Sequence, residues 1–214
     1  MSERIIRVLL ADDHPVVRDG CRSLLESTAD IQVVAEAADS DGVLAAYIEY
    51  EPEVVVLDLG MPGIGGIETI RRLRQRDASA RILVFSMYDG DILIQRSLEA
   101  GALGYLVKHS QMRQMIDAVR EIAKGKPYID ASKVMGIAAS NLLQEENPLS
   151  CLTSREYQMF LFLAEGKTVT EVAQALSISP KTAGVHHANI MNKLGLQNGA
   201  QLVRLAFRLR VIDL

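Results

Sequence analysis

The sequence holds no tryptophan, only two cysteines, and aromatic residues at 5% of the chain. A core without large rings has to be filled by Leu, Ile, Val, Ala and Met. Cys21 and Cys151 offer no metal-ligand or redox spacing, which excludes zinc-finger, disulfide-scaffold and thiol-redox classes. Both read as reduced packing residues in or beside apolar helical patterns. No run approaches the ~18 uninterrupted apolar residues that a membrane span requires. MSERIIRVLL mixes charge into its first residues and lacks the apolar stretch and small-residue cleavage site of a secretory signal. A cytoplasmic protein without a membrane partner is expected.

What is present divides unevenly. Residues 1–150 carry 16 basic against 23 acidic side chains, whereas residues 151–214 carry 7 against 4. An acidic front and a basic tail imply that only the tail meets a polyanion. The tail's excess is small, so affinity for DNA has to be raised by dimerisation or by switching.

The front half alternates short apolar runs with amphipathic stretches. IRVLLA (6–11), IQVVAEA (31–37), PEVVVLD (52–58), RILVFS (81–86) and GYLVK (104–108) are β-rich and mostly apolar throughout, as parallel strands buried on both faces are. Helical patterns fall between them at about 14–27, 39–50, 64–76, 89–100 and 110–124. Strands interleaved with helices describe an α/β doubly wound domain with a five-stranded parallel sheet. Ligands bind such sheets beyond the carboxyl ends of the strands. Asp12 and Asp13 follow the first strand, Asp58 ends the third, Ser86 the fourth and Lys108 the fifth, so all share one edge.

Carboxylates crowded within a few Å repel one another, each pair at ~4 Å costing on the order of 1 kcal/mol in water. A hard divalent cation such as Mg²⁺ offsets that repulsion and shields an incoming phosphoryl group from the attacking carboxylate. Lys108 would pair with the transferred group, and the Ser86 hydroxyl would donate to one of its oxygens. His14, at the start of a helix, reads as a local hydrogen-bonding residue. Pro62, Gly63, Gly65 and Gly66 lack phosphate-loop spacing and read as a turn into the third helix.

ADDH (11–14), VVLDLGMPGIGG (55–66), FSM (85–87) and GYLVK (104–108), in that order and spacing, resemble the receiver domain of bacterial two-component response regulators. The resemblance covers about residues 5–127. It implies a flavodoxin-like fold in which Asp58 takes a phosphoryl group from a sensor histidine kinase. It further implies Mg²⁺ held by Asp13, Asp58 and the Gly60 backbone carbonyl, with Asp12 acting mainly through water. Ser86 would then move toward the phosphoryl while Tyr105 rotates inward. Gly60, where a side chain is usual, and Met87 and Tyr88 depart from the common pattern and bear on how long the acyl phosphate survives.

GKPYID (125–130) closes the receiver, assigned residues 1–127. Residues 128–150 read as a linker with a connecting helix over 131–143 and an acidic, Pro-containing stretch after it. Residues 151–214 are helical in pattern. Thr153 or Ser154 can cap a helix carrying Tyr157, Phe160, Leu161 and Ala164 inward and ending at Gly166. Thr168 begins a second with Val169, Val172, Ala173 and Leu176 inward. Ser179 caps a third, with Pro180 at its first position. A short helix, a tight turn and a second capped helix form an all-α helix-turn-helix, the motif that enters the major groove.

LTSRE, AEGKT, EVAQALSISPKT and HHANIMNKL make this segment similar to the DNA-binding domain of LuxR/NarL-type regulators, over about residues 150–210. The whole chain resembles a NarL/FixJ-type response regulator, in which the final helix, here about 197–209 with Leu202, Leu205 and Ala206, commonly pairs two DNA-binding domains. On the third helix Ala183, His186, Ile190 and Leu194 share the core side. Lys181, Gly184, Val185, Ala188 and Asn192 face outward. Val185 is expected at a thymine methyl and Asn192 at adenine or phosphate, with Ala188 allowing close approach. Lys181, Thr182 and Lys193 are expected on phosphates. With no bidentate donor to guanine on that face, the helix should read bases weakly and lean on phosphates, DNA shape and dimerisation.

Phosphorylation-dependent control of promoter DNA, by a regulator rather than an enzyme, is the leading expectation. A receiver serving only as a dimerisation module would not retain Asp12, Asp13, Asp58, Ser86 and Lys108 together. A phosphatase with Asp58 as nucleophile would want a second acid two residues on, where Gly60 stands. A protein-interaction regulator whose tail avoids DNA is kept open by the tail's modest charge and its small outward residues.

Overall fold

Strands β1 (Ile6–Ala11), β2 (Ile31–Ala37), β3 (Val54–Leu57), β4 (Ile82–Ser86), β5 (Gly104–Val107) and β6 (Tyr128–Ile129) form one parallel sheet. Its order is β2-β1-β3-β4-β5-β6. The computed structural model describes residues 4–109, 113–130, 148–176, 178–209 and 211–212. Helices α1 (Pro15–Glu26), α2 (Ser40–Tyr50), α3 (Gly66–Arg76), α4 (Asp91–Glu99) and α5 (Arg113–Ala123) connect the strands. The side-chain period of two decides which face each residue serves. Val8, Leu10, Val54, Val56, Leu83 and Phe85 pack with Cys21 and Leu25 of α1 and with Met115 and Val119 of α5. Leu9, Val55, Leu57, Ile82 and Val84 pack on the opposite face with α2, α3 and α4.

The sheet has six strands, not the expected five. Tyr128–Ile129 pairs with Gly104 and Tyr105, so the sheet runs past residue 127. A two-residue strand carries no readable periodicity. Its docking depends on Gly104, where a Cβ would stand 2.6 Å from the Tyr128 carbonyl oxygen and 2.9 Å from Ile122 Cδ1. The connecting helix expected over 131–143 lies outside the described residues.

A 3₁₀ turn (Pro148–Cys151) leads into α6 (Ser154–Ala164), α7 (Val169–Ala175), α8 (Pro180–Lys193) and α9 (Gly199–Arg208). Thr153, rather than Ser154, caps α6, in a capping box with Glu156, and Thr168 does the same for α7 with Glu171. Ser179 caps α8 ahead of Pro180, and Asn198 caps α9. Gly166, at φ 89°, takes the left-handed conformation that ends α6. Tyr157, Phe160, Leu161, Ala164, Val172, Ala173 and Leu176 are buried as expected. Leu202, Leu205 and Ala206 are buried too, within this protomer's own core, because the apolar stripe of α9 faces inward. They are therefore not free to pair two domains. Phe207, at 51% exposure, is the large apolar side chain that α9 leaves outside.

Cys21 is buried, which pushes its thiol up to about 11. Cys151 is not the packing residue it was expected to be. Its thiol is exposed and reaches the Pro148 carbonyl at 3.1 Å.

The two halves share one apolar cluster, which runs from the α2–α4 face of the sheet through Leu149 and Leu152 to Tyr157 and Phe160. Arg96 of α4 fastens this junction, donating to the carbonyls of Leu149, Ser150 and Leu152 at 3.1, 3.2 and 2.6 Å. Its guanidinium lies over the Tyr157 ring, 5.1 Å from the centroid.

Gly104→Val should lower the stability of the whole chain by about 1–3 kcal/mol, the usual cost of overpacking. Urea unfolding measures it, and a midpoint equal to the parent's would contradict the proposed close approach.

Candidate functional site

Three polar residues at the carboxyl edge are each set by a ladder hydrogen bond just beyond a strand. The Asp12 N–H donates to the Ala37 carbonyl at 3.0 Å, Asp58 N–H to Ala11 at 2.9 Å, and Lys108 N–H to Ser86 at 2.7 Å. The sheet order then brings these residues together as the strand-end rule anticipates. Lys108 Nζ lies 2.7 Å from Asp12 Oδ2 and 3.0 Å from Asp58 Oδ2. Asp12, Asp58 and Ser86 are all buried.

Burial pushes the Asp58 carboxyl up, against the pull of the Lys108 charge, and the Asp12 carboxylate adds to the rise. Burial alone would lower the Lys108 ammonium, but Asp58 and Asp12 together raise it above its ordinary value. Asp12, Asp13, His14 and Asp58 each offer a donor atom, and these lie within 4.8 Å of one another. Asp13 Oδ1 is enclosed and takes no hydrogen bond, although His14 Nδ1 stands 3.0 Å away. Hard carboxylate oxygens, one of them unsatisfied, are the donor set of a hard divalent cation. His14 is the N-cap of α1, its carbonyl accepting from the Arg18 N–H at 3.1 Å; its own N–H donates to Asp12 Oδ1 at 2.9 Å, and its ring is exposed.

The loop after Asp58 is held close to the pocket. A Cβ on Gly66 would meet Leu59 Cα at 2.6 Å, so this glycine lets α3 begin against the loop. Gly63 and Gly65 have φ of 108° and 92°, as the turn reading requires. A Cβ on Gly60 would stand 3.3 Å from Asp58 Oδ2. The missing side chain keeps that oxygen approachable. Met87 is 63% exposed and does not cover the site. Tyr105 is buried, its hydroxyl donating to the Tyr88 carbonyl at 2.6 Å.

In the second half, Lys181, Thr182, Gly184, Val185, Ala188 and Asn192 all lie exposed along α8, while Ala183 and Ile190 are buried. Nothing lies within 4 Å of a Cβ built on Gly184. The receiver does not cover this face. Lys193 differs from the others: its Nζ donates to the buried Glu156 carboxylate at 2.6 Å. Glu156 also accepts from the Thr153 N–H at 2.8 Å, and despite its burial these bonds hold its carboxyl below the usual range. Lys193, expected on a phosphate, is thus also tied to the domain's own frame.

Residues 8–120 match the response regulator receiver domain family, and residues 150–206 match the LuxR family of bacterial regulatory proteins. The chain belongs to the LuxR-type response regulators. This regulator is 38% identical over 213 residues to the transcriptional regulatory protein LiaR of Bacillus subtilis, covering 98% of this chain and 100% of LiaR. It is 33% identical over 206 residues to the response regulator UvrY of Escherichia coli, covering 95% and 94%. Among solved structures, RcsB of Salmonella typhimurium superposes with a TM-score of 0.70 at 28% identity, covering 96% of this chain and 98% of that one. RcsB bound to the rprA promoter with the phosphomimetic BeF3⁻ gives 0.66 at 28% identity, covering 94% and 98%. No helix among the described residues is long and apolar enough to cross a membrane.

Sequence reasoning missed Glu156, whose burial is signalled only by its place in the capping box. It also missed the residues that join the halves: Arg96, Gln158 and Glu165. Polar residues on amphipathic helices give no sign of which partner surface they meet.

Asp58→Asn should raise the thermal midpoint by about 2–4 °C at neutral pH, as relief of roughly 1 kcal/mol would. The charged carboxylate destabilises the fold above its raised pKa, and protonation removes that penalty as pH falls through it. The gap between variant and parent should therefore close on acidification. Calorimetry across pH checks this, and a gap that widened toward acid would contradict the assignment.

Proposed function

We propose that Asp58 accepts a phosphoryl group from a sensor histidine kinase and that its occupancy governs binding of promoter DNA by α8. The observation that carries this reading is Asp58 at the carboxyl edge of the sheet, its Oδ2 3.0 Å from Lys108 Nζ and beside Asp12 and Asp13. An Asp58 oxygen forms a bond to phosphorus as the phosphorus–nitrogen bond of the donor's phosphohistidine breaks. The bonding pair returns to the imidazole, which takes a proton from solvent. Lys108 moves its pairing from carboxylate to phosphoryl oxygen, and the Ser86 hydroxyl donates to another. Mg²⁺ held by Asp13, Asp58 and the Gly60 carbonyl, with Asp12 through water, would supply charge shielding for the approach.

RcsB, similar over nearly the whole chain, has been solved on promoter DNA, which supports the same role for this helix-turn-helix. Lys181 and Thr182 would meet phosphates, Val185 a thymine methyl, and Asn192 adenine or phosphate, with Ala188 and Gly184 leaving the helix bare. Lys193, tied to Glu156, contributes little. We place the receiver at 1–127, extended by β6, the linker up to residue 150, and the DNA-binding domain at 151–214. Pairing of two copies on DNA would use the outer side of α9 around Phe207. Such a regulator works in the cytoplasm and is not itself a turnover enzyme.

The test retains DNA on the full chain across a salt series, with and without Mg²⁺ and a small phosphodonor. The parent should bind promoter DNA more tightly when phosphorylated, with a log–log salt slope, and Asp58→Asn should not respond. Lys181→Ala should weaken operator and scrambled DNA alike, by about 3–10-fold, and reduce the salt slope by about one. Salt-independent retention, or a full response in Asp58→Asn, would overturn the reading.

A further inference from the structure

Where α6 ends and Glu165 precedes Gly166, the DNA-binding domain reaches the loop after Ser86 through the Glu165 side chain. The Tyr88 hydroxyl donates to Glu165 Oε1 at 3.1 Å. Tyr88 stands two residues after Ser86, and both its backbone groups are engaged by side chains of the pocket. Its N–H donates to Ser86 Oγ at 3.3 Å, and its carbonyl accepts from the Tyr105 hydroxyl at 2.6 Å. One residue therefore holds Ser86 and Tyr105 together, and its own far end is held by the other domain. Glu165 is steadied in turn, with Oε2 3.7 Å from Lys167 Nζ, which lies 4.1 Å over the Phe162 ring. A second thread runs beside the first, from Gln158 Nε2 to the carbonyl of Leu59, at 3.0 Å, next to Asp58.

We propose that Glu165 is a positioning residue for the phosphoryl chemistry at Asp58, acting through Tyr88 from the other domain. The inference rests on the reading of Asp58 as phosphoacceptor. Turning Ser86 toward a phosphoryl group on Asp58 disturbs the backbone from 86 to 88, because Ser86 Oγ holds the Tyr88 N–H. Glu165 opposes that movement by fixing the tyrosine ring. Cutting the Tyr88–Glu165 bond removes the opposition and favours the phosphoryl-bound form. Coupling of this kind is reciprocal at equilibrium, so a phosphoryl group on Asp58 weakens the same bond between the domains.

The experiment titrates the full chain with beryllofluoride and Mg²⁺, followed by ¹⁹F NMR, for the parent, Glu165→Ala, Glu165→Gln, Tyr88→Phe and the Tyr88→Phe/Glu165→Ala double variant. Glu165→Ala and Tyr88→Phe should each bind beryllofluoride about fivefold or more tightly. Glu165→Gln, whose amide oxygen still accepts, should stay near the parent, and the double variant should gain nothing over Tyr88→Phe. Unchanged affinities, or gains that add in the double variant, would overturn the proposal. In the same proteins without beryllofluoride, the Tyr88 amide should lose hydrogen-exchange protection in Glu165→Ala but not in Glu165→Gln. That arm does not depend on Asp58. If the parent fails to bind beryllofluoride, the phosphoacceptor reading fails, while equal protection in parent and Glu165→Ala defeats the role of Glu165 on its own.

Discussion

The pocket depends on the Lys108 ammonium lying between two buried carboxylates, 2.7 Å from Asp12 and 3.0 Å from Asp58. Two carboxylates this deep repel each other and lose hydration, and removing the cation from between them would leave both uncompensated. None of the three is placed by side-chain packing alone. Each follows a strand by one ladder hydrogen bond, so the sheet order itself delivers the charges to one another. An arrangement that is costly when empty is receptive to a cation, because added positive charge relieves the carboxylate repulsion that the resting pocket holds.

The same edge of the sheet is where the second domain begins to matter. The apolar cluster behind α4 continues into α6, and Arg96 holds the 3₁₀ turn that starts the DNA-binding domain. Glu165 and Gln158 reach the two loops that flank Asp58. Meanwhile the outward face of α8 stays exposed, with Val185 at 56%. Domain packing in this arrangement covers the α4 side of the receiver, rather than the helix proposed to read DNA. Control exerted through the junction is then a matter of orientation and pairing, since the reading helix itself is not masked.

Most of the receiver was legible because its signals are local. Asp12, Asp58, Ser86 and Lys108 each end a short apolar run, and one topological rule places such residues together. Ala183 and Ile190 fell on the core side of α8 for the equally local reason of helical period. The sixth strand was not legible, since two residues carry no period and its cue is only the bare Cα of Gly104. The bond from Lys193 to Glu156 was not legible because Glu156 lies on another helix and is buried. Leu202, Leu205 and Ala206 were read as a pairing surface when the apolar stripe of α9 serves the protomer's own core. Each miss involves a tertiary partner that sequence spacing does not encode.

The most direct measurement of the central claim is the mass of the full chain after exposure to a small phosphodonor and Mg²⁺, followed by mapping of the modified peptide. The account predicts a single phosphoryl group, carried on the peptide that contains Asp58, released by hydroxylamine as an acyl phosphate is, and absent from Asp58→Asn. A hydroxylamine-stable phosphoryl on Ser86, or an unmodified chain with an intact fold, would contradict it.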